Sequence, residues 1–153
     1  MYGERRPPLA EEAPKLPVSP YGVSKLAAEQ LCYLYTVNHG VPTVSLRYFT
    51  VYGPKQRPDM GFHRFIRAVL TNQPISLYGD GEQTRDFTFV TDTARGILQC
   101  GDSTAAVGEV VNLGQGTEIS ITALAREIRA AVPGTCSEIT YERPRPGDVL
   151  RLF

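Results

Sequence analysis

The sequence lacks the features that mark several common classes of protein. Lysine plus arginine and aspartate plus glutamate number 16 each, so the formal net charge is zero. No general binding surface for nucleic acid or an anionic membrane is therefore expected. No apolar run approaches the ~20 residues that span a bilayer, and residues 1–12 do not resemble a secretory signal. We predict a cytoplasmic protein with neither nucleic acid nor membrane as a partner.

Cysteine is scarce, and a glycine-rich phosphate loop is missing. Cys32, Cys100 and Cys136 are far apart and lack the spacing of metal ligands, so we predict three reduced thiols and no metal site. Neither GxGxxG nor GxxGxxG, patterns in which a glycine backbone approaches a dinucleotide phosphate, occurs in the 153 residues. The chain is thus not predicted to be a self-contained dinucleotide-binding domain.

What the sequence does contain is an alternation of helical and strand patterns. Ser19 as N-cap and Pro20 at the first helical position predict a helix that runs to about residue 38 and stops at Gly40. The β-branched run from Val41 to Tyr48 predicts a buried strand directly after it, an order typical of α/β folds with a parallel sheet. Further helices are predicted at 62–72, 92–100 and 120–132, and strands at 75–78, 86–90, 109–113 and 139–141, whereas 50–61 is expected to be a loop.

Two chemically useful side chains lie near the start of the first predicted helix. Tyr21 and Lys25 are four residues apart, so they share one helix face. A free phenol, with a pKa of ~10, is too weak a base at neutral pH, but a nearby ammonium favours the phenolate, which could then accept a proton from a hydroxyl. The alternative is a solvated helix face. Leu31, Leu34 and Val37 help to form an apolar face of the same helix.

A polar loop follows the first predicted strand. Thr50 and Arg57 lie at its carboxyl end, where open α/β sheets bind ligands. Thr50 offers a hydroxyl, and the planar guanidinium of Arg57 suits a carboxylate or a phosphate. The alternative is a surface loop in which Arg57 is solvated.

Two further arginine segments could bind an anion. Arg85 lies in a strand-like segment among apolar residues, where its charge is costly to desolvate unless an anion meets it. It could bind an anionic ligand or form a structural pair with Asp86 or Asp92. The segment from Arg143 to Asp148 could add a second phosphate-binding arginine, the alternative being a charged surface turn.

As an ordered set, five segments resemble the extended short-chain dehydrogenase/reductase family, and in particular its NAD-dependent nucleotide-sugar epimerases and dehydratases. They are SPYGVSKLAAEQ, LRYFTVYGP, YGDGEQTRDFTFVTD, VVNLGQGTEISI and RPRPGDV, and they span nearly the whole chain. The resemblance implies the C-terminal part of a Rossmann-like parallel sheet plus a small α/β substrate-binding domain. Residues 1–55 would be a remnant of the dinucleotide-binding domain, and 56–153 mainly the nucleotide-sugar domain, with some segments returning to the main sheet.

The resemblance also implies a role for each motif residue. Tyr21 would be the catalytic base and Lys25 its electrostatic partner, both in contact with NAD, while hydride passes from C4 of the sugar to NAD and returns to the opposite face. Tyr48 would lie near the nicotinamide. The remaining implied contacts are Ser76 and Tyr78 near the uracil, Arg85 and Arg145 at the diphosphate, and Asp148 at a ribose hydroxyl of the substrate. A homodimer through the helix that starts near Ser19 is a further implication.

The run FTVYGPKQRPDM resembles UDP-glucuronate 4-epimerases in particular, because Thr50 stands where many UDP-glucose 4-epimerases carry asparagine. Thr50 and Arg57 would meet the C6 carboxylate, with Arg64 as a further helper. A UDP-glucose 4-epimerase, a UDP-glucuronate decarboxylase or 4,6-dehydratase, and a non-catalytic truncated UDP-sugar-binding chain remain as alternatives. Because the glycine fingerprint and the family's catalytic Ser/Thr are missing, the resemblance implies an incomplete chain that is inactive alone.

Overall fold

The computed structural model describes residues 1–3, 8–145 and 148–153. Its helices are α1 (Pro20–His39), α2 (Gly61–Leu70), α3 (Val90–Asp102) and α4 (Ile121–Ala130). Its strands are β1 (Ser45–Tyr48), β2 (Thr50–Tyr52), β3 (Ile75–Tyr78), β4 (Thr84–Arg85), β5 (Phe87–Phe89), β6 (Val110–Leu113), β7 (Ile119–Ser120), β8 (Ile139–Glu142) and β9 (Arg151–Leu152).

The strand pairing is mainly parallel. β1 pairs with β6, β2 with β5, and β3 with β8, each in parallel register. A further sheet has the order β7-β4-β9, in which β4 is antiparallel to β7 and parallel to β9. Parallel neighbours need crossover connections, and helices supply them here. The expectation of an α/β fold with parallel, Rossmann-like sheets is confirmed.

Helix α1 begins and ends where its capping residues are. The Ser19 side chain accepts a hydrogen bond from the Gly22 N–H at 3.1 Å, and Pro20 occupies the first turn. Gly40 adopts the left-handed conformation with φ 66°, and its N–H donates to the Thr36 carbonyl. The predicted helix is confirmed and is one residue longer than expected.

Three strand predictions need correction. The strand expected from residue 41 begins only at Ser45, because the ladder with β6 starts there. The stretch expected to be a loop from residue 50 instead begins with β2, which pairs with Phe87–Phe89. The strand expected at 86–90 is shorter, since β5 covers only Phe87–Phe89 and Val90 begins α3, and an additional two-residue strand, β4, ends just before Asp86. Its buried carboxylate accepts the N–H groups of Gln115 and Gly116, at 2.8 and 2.7 Å.

The main hydrophobic core lies among α2, β3 and α4. Its buried members are Phe65, Val69, Ile75, Leu77, Leu124 and Ala125. The apolar face of α1 is different, since Leu31, Leu34 and Val37 are all exposed. Within the described residues nothing covers that side of the helix, so the predicted apolar face is present but unburied. In the same part of the chain, no helix is long and apolar enough to cross a membrane.

Candidate active site

A cavity of about 540 Å³ lies between α1 and β1. Tyr21 and Lys25 from α1 and Tyr48 from β1 all line it. The Lys25 ammonium lies 5.4 Å from the centroid of the Tyr21 ring, as the four-residue spacing predicts. The Tyr21 side chain is reachable from solvent, since the residue is 71% exposed. The fold therefore brings together the three residues that the sequence assigned to proton transfer and cofactor binding.

A buried ion pair fixes the helix that carries Tyr21 and Lys25. Arg47 of β1 donates from Nε and Nη2 to the two carboxylate oxygens of Glu29 on α1, at 2.7 and 2.6 Å. The two side chains are 7% and 8% exposed. Burial lowers the pKa of Arg47, but the hydrogen bonds to Glu29 and Tyr2 outweigh it, so the pKa is raised overall. This pair was not predicted from the sequence, although an arginine within an apolar strand was a visible signal.

The same guanidinium also anchors the amino-terminal segment. Its Nη1 donates to the Tyr2 hydroxyl at 2.5 Å and to the Glu11 carbonyl at 2.9 Å. Tyr2 in turn donates to the Asn112 side chain on β6 at 2.7 Å. The amino-terminal segment, α1, β1 and β6 are thus connected through Arg47 and Tyr2, and these contacts hold β1 and α1 in one relative position.

A second cluster gathers the residues expected at the nucleotide end. Tyr78, Arg145 and Asp148 line a cavity of about 100 Å³ at the carboxyl end of β3. The Arg145 guanidinium lies 3.7 Å from the centroid of the Tyr78 ring, a cation–π distance. Arg85 donates to the Asp148 carboxylate at 2.5 Å. Pro146 and Gly147 of the RPRPGD motif lie outside the described residues.

The neighbouring arginines change the pKa of the Tyr78 phenol. The adjacent guanidinium groups of Arg145 and then of Arg64 lower the pKa of Tyr78 below its ordinary value, because both cations favour the phenolate. Arg85 does form an ion pair within the chain, but with Asp148 and not with Asp86 or Asp92, the two partners predicted from the sequence. Asp86 is occupied by backbone N–H groups, and the Asp92 carboxylate pairs with Arg95.

The residues expected to meet a sugar carboxylate are not gathered in the same way. Thr50 lies in β2 opposite Phe87, and the Arg57 side chain is 74% exposed and pairs with Asp59 at 3.3 Å. Arg64 approaches the Tyr78 hydroxyl at 3.4 Å, in the cluster that is expected to bind the nucleotide. Among the described residues that line the cavity beside Tyr21, none of Thr50, Arg57 and Arg64 occurs.

Ser76 and a third cavity lie apart from the two cavities described above. Ser76 of β3 lies beside Thr140 of β8, with 3.5 Å between the hydroxyl oxygens, and it does not line the cavity next to Tyr78. A third cavity of about 640 Å³ lies beside α2, where the rings of Tyr52 and Phe62 stack at 4.3 Å. No sequence signal pointed to it.

Comparison with known proteins gives one consistent result. Residues 1–114 match the NAD dependent epimerase/dehydratase family. A Bacillus subtilis (strain 168) protein described as an uncharacterized UDP-glucose epimerase, YtcB, is 46% identical over 121 residues, covering 79% of this chain and 38% of that protein. A UDP-glucuronate 4-epimerase of Thermodesulfobacterium geofontis is 43% identical over 118 residues, covering 76% of this chain and 36% of that protein.

A solved structure agrees with the fold. The crystal structure of UDP-glucuronic acid 4-epimerase from Bacillus cereus, in complex with UDP-glucuronic acid and NAD, superposes with a TM-score of 0.93 at 40% sequence identity. The superposition covers 99% of this chain and 48% of that chain. The chain therefore spans less than half the length of each of these three relatives.

Proposed function

The chain belongs to the NAD dependent epimerase/dehydratase family, and we propose that it carries the Tyr21-containing part of an active site that inverts C4 of a UDP-sugar with NAD. The observation that supports the proposal is the common location of Tyr21, Lys25 and Tyr48 at one solvent-accessible cavity. Relatives named as sugar-nucleotide epimerases support the same reaction class.

The residues of the cavity suit a bound nicotinamide nucleotide. The Lys25 ammonium is a donor for ribose hydroxyls, and Tyr48, half-exposed at the cavity wall, offers an aromatic surface. When bound, NAD supplies the site that accepts hydride from C4 of the sugar and returns it. The Tyr21 phenolate accepts the proton of the C4 hydroxyl as that hydride leaves, and the neighbouring Lys25 cation stabilises the phenolate. After the 4-keto sugar has rotated in the site, Tyr21 returns the proton to the C4 oxygen.

The nucleotide end of the substrate would occupy the cluster around Tyr78. Arg85 and Arg145 are the two cations suited to the diphosphate, and Asp148 can accept a ribose hydroxyl. In the free chain Arg85 and Asp148 neutralise each other, so the substrate must replace that ion pair with its own contacts. We propose Ser76 and Tyr78 for the uracil.

We propose UDP-glucuronate as the sugar nucleotide, to be converted to UDP-galacturonate. Thr50, Arg57 and Arg64 would hold the C6 carboxylate, and the exposed Arg57 side chain, paired with Asp59 at the surface, would have to turn towards it. UDP-glucose is the competing substrate, since one relative is named as a UDP-glucose epimerase. Decarboxylation and 4,6-dehydration are further outcomes within the family.

Several wider features belong to the same proposal. Residues 1–55 form the remnant of a dinucleotide-binding domain, and 56–153 form mainly the substrate domain. The exposed apolar face of α1, with Leu31, Leu34 and Val37, is the contact surface of a homodimer. The protein works in the cytoplasm. The chain alone gives no turnover, because it contains no glycine-rich dinucleotide loop.

Proton NMR of UDP-glucuronate with NAD tests the reaction. The 153-residue chain and the full-length protein that contains it are assayed in parallel, and UDP-galacturonate signals should grow with the latter alone. Conversion of UDP-glucose but not of UDP-glucuronate would reject the proposed sugar. Saturable binding of UDP without conversion of any UDP-sugar would favour the non-catalytic alternative.

Tyr21→Phe in the full-length protein tests the base. Turnover should fall below a few per cent of wild type, while the affinity for UDP changes little, because only the ionisable hydroxyl is removed. Tyr33→Phe is the matched control, since Tyr33 is an exposed tyrosine on the same helix and should leave turnover unchanged. Retained activity in Tyr21→Phe would remove Tyr21 from the role of base.

Arg57→Ala tests carboxylate recognition. It should raise KM for UDP-glucuronate much more than KM for UDP-glucose, because only the former has a C6 carboxylate. Arg95→Ala is the control, since Arg95 also forms an exposed ion pair, with Asp92. An equal rise in KM for the two sugar nucleotides would show that Arg57 does not bind the C6 carboxylate.

A further inference from the structure

The buried Arg47–Glu29 pair lies close to the proposed proton-transfer residues in a specific way. Tyr21, Lys25 and Glu29 follow one another at four-residue intervals along α1, so all three lie on one side of the helix. Lys25 therefore has two possible neighbours on its own helix face, the Tyr21 ring on one side and the Glu29 carboxylate on the other.

We propose that Arg47 is a positioning residue for the Tyr21–Lys25 pair: by holding both carboxylate oxygens of Glu29, it prevents that carboxylate from pairing with Lys25. The ammonium is thereby left beside Tyr21. This inference rests on the proposed function, in which Lys25 supports the Tyr21 phenolate. Arg47 itself does not touch the reacting atoms in this scheme.

The geometry around Glu29 supports the proposal. Arg47 meets its two oxygens side by side, at 2.7 and 2.6 Å, so the carboxylate has no oxygen without a charged donor. The guanidinium cannot turn freely, because Nη1 is also held by the Tyr2 hydroxyl and the Glu11 carbonyl. The Lys25 ammonium meanwhile lies over the Tyr21 ring, at 5.4 Å from its centroid.

Removal of Arg47 would change this arrangement. A buried carboxylate that loses its only cation is strongly destabilised and takes the nearest replacement. For Glu29 the cation on its own helix face is Lys25, one turn earlier, at a spacing where a lysine and a glutamate side chain can meet. Lys25 would then leave Tyr21. Removal of the Glu29 charge together with Arg47 leaves nothing to attract Lys25, so the original contact returns.

The experiment measures the contact directly in the 153-residue chain, labelled with ¹³C and ¹⁵N and without cofactor or substrate. The readout is the nuclear Overhauser cross-peak between the Lys25 Hε protons and the Tyr21 ring. It should be present in the wild type, lost in Arg47→Met and restored in Arg47→Met/Glu29→Gln. A structural role alone predicts no restoration, because the double variant also lacks the ion pair.

The other outcomes overturn the inference. A cross-peak that persists in Arg47→Met shows that Arg47 does not shield Lys25, and loss in both variants shows that α1 has moved as a whole. If Arg47→Met does not fold, Arg47→Lys provides the test. A lysine holds one carboxylate oxygen at a time, so the cross-peak should weaken about twofold or more. An unchanged cross-peak in Arg47→Lys rejects the proposal. The result is independent of the proposed reaction, which turnover of the wild type tests separately.

Discussion

Asp86→Asn should destabilise the chain strongly, although it changes one oxygen to an amide nitrogen. The Asp86 carboxylate is buried, at 1% exposure, and accepts three hydrogen bonds. Oδ1 accepts from the Thr88 hydroxyl at 3.0 Å and the Gln115 N–H at 2.8 Å, and Oδ2 accepts from the Gly116 N–H at 2.7 Å. These bonds connect the β4–β5 junction to the turn after β6.

The expected loss in the free energy of unfolding follows from these three hydrogen bonds. The asparagine oxygen can replace Oδ1, but its NH₂ group then faces the Gly116 N–H, donor against donor. One hydrogen bond to a charged group is lost, worth about 1.5–3 kcal/mol, and a buried N–H is left without an acceptor. The two remaining bonds lose their charge assistance. Together these effects should lower the free energy of unfolding by about 3 kcal/mol.

Urea denaturation at neutral pH, followed by circular dichroism, measures this loss. Asp92→Asn is the matched control, because Asp92 is a half-exposed carboxylate in the first turn of α3 and pairs with Arg95 at 3.4 Å. Its neutralisation should lower the unfolding free energy by less than about 1 kcal/mol. If Asp86→Asn loses no more stability than Asp92→Asn, the reasoning from buried hydrogen bonds is refuted.

Two further predictions concern the hydrophobic core and the Tyr78 phenol. Leu77→Ala should lower the free energy of unfolding by roughly 2–5 kcal/mol, because Leu77 is 1% exposed. The control Leu150→Ala, at an exposed site, should lower it by less than about 0.5 kcal/mol. Equal losses in urea denaturation would contradict the assignment of Leu77 to the core. The pKa of Tyr78, followed by ¹³C NMR of its Cζ, should lie below that of free tyrosine and rise in Arg145→Met, because Arg145 contributes the largest lowering. Since the folded-state pKa is depressed, the contribution of this phenolate to stability is present above the ordinary tyrosine pKa and is lost as pH falls through the folded-state value. A Tyr78 pKa that is unchanged in Arg145→Met would contradict the contact between Arg145 and Tyr78.

The elements that the sequence predicted well are those with local signals. The start and end of α1 depend on Ser19 and Gly40, which act on neighbouring backbone groups. β3 was predicted at its observed bounds from its position directly before the Gly79-Asp80-Gly81 turn, and in the structure Ile75 and Leu77 alternate with less buried residues, as on a strand with one buried face. By contrast, β2 forms by pairing with a strand 37 residues later in the chain, and the Gly-Pro turn after it favoured a loop.

The same distinction applies to the candidate site. Tyr21 and Lys25 could be associated from their spacing, whereas the partner of Arg85 could not, because Asp148 is 63 residues away. Arg47 had the same sequence signal as Arg85, a cation within an apolar strand, and the same desolvation argument would have required an acidic partner for it. Identifying that partner as Glu29 requires knowing how α1 packs on β1.

The strand order has a consequence for synthesis of the protein. Among the described residues, every strand pair joins strands at least 34 residues apart, and Ser45 of β1 pairs with Val110 of β6, 65 residues later. At about 5–20 residues per second, a ribosome would make β6 roughly 3–13 s after β1. During that interval β1 lacks its partner β6, and such long-range pairing is intrinsically slow. Codon changes that slow translation between Tyr48 and Val110 should therefore prolong the exposure of β1 to chaperones and to aggregation, whereas equal delays after Leu113 should not.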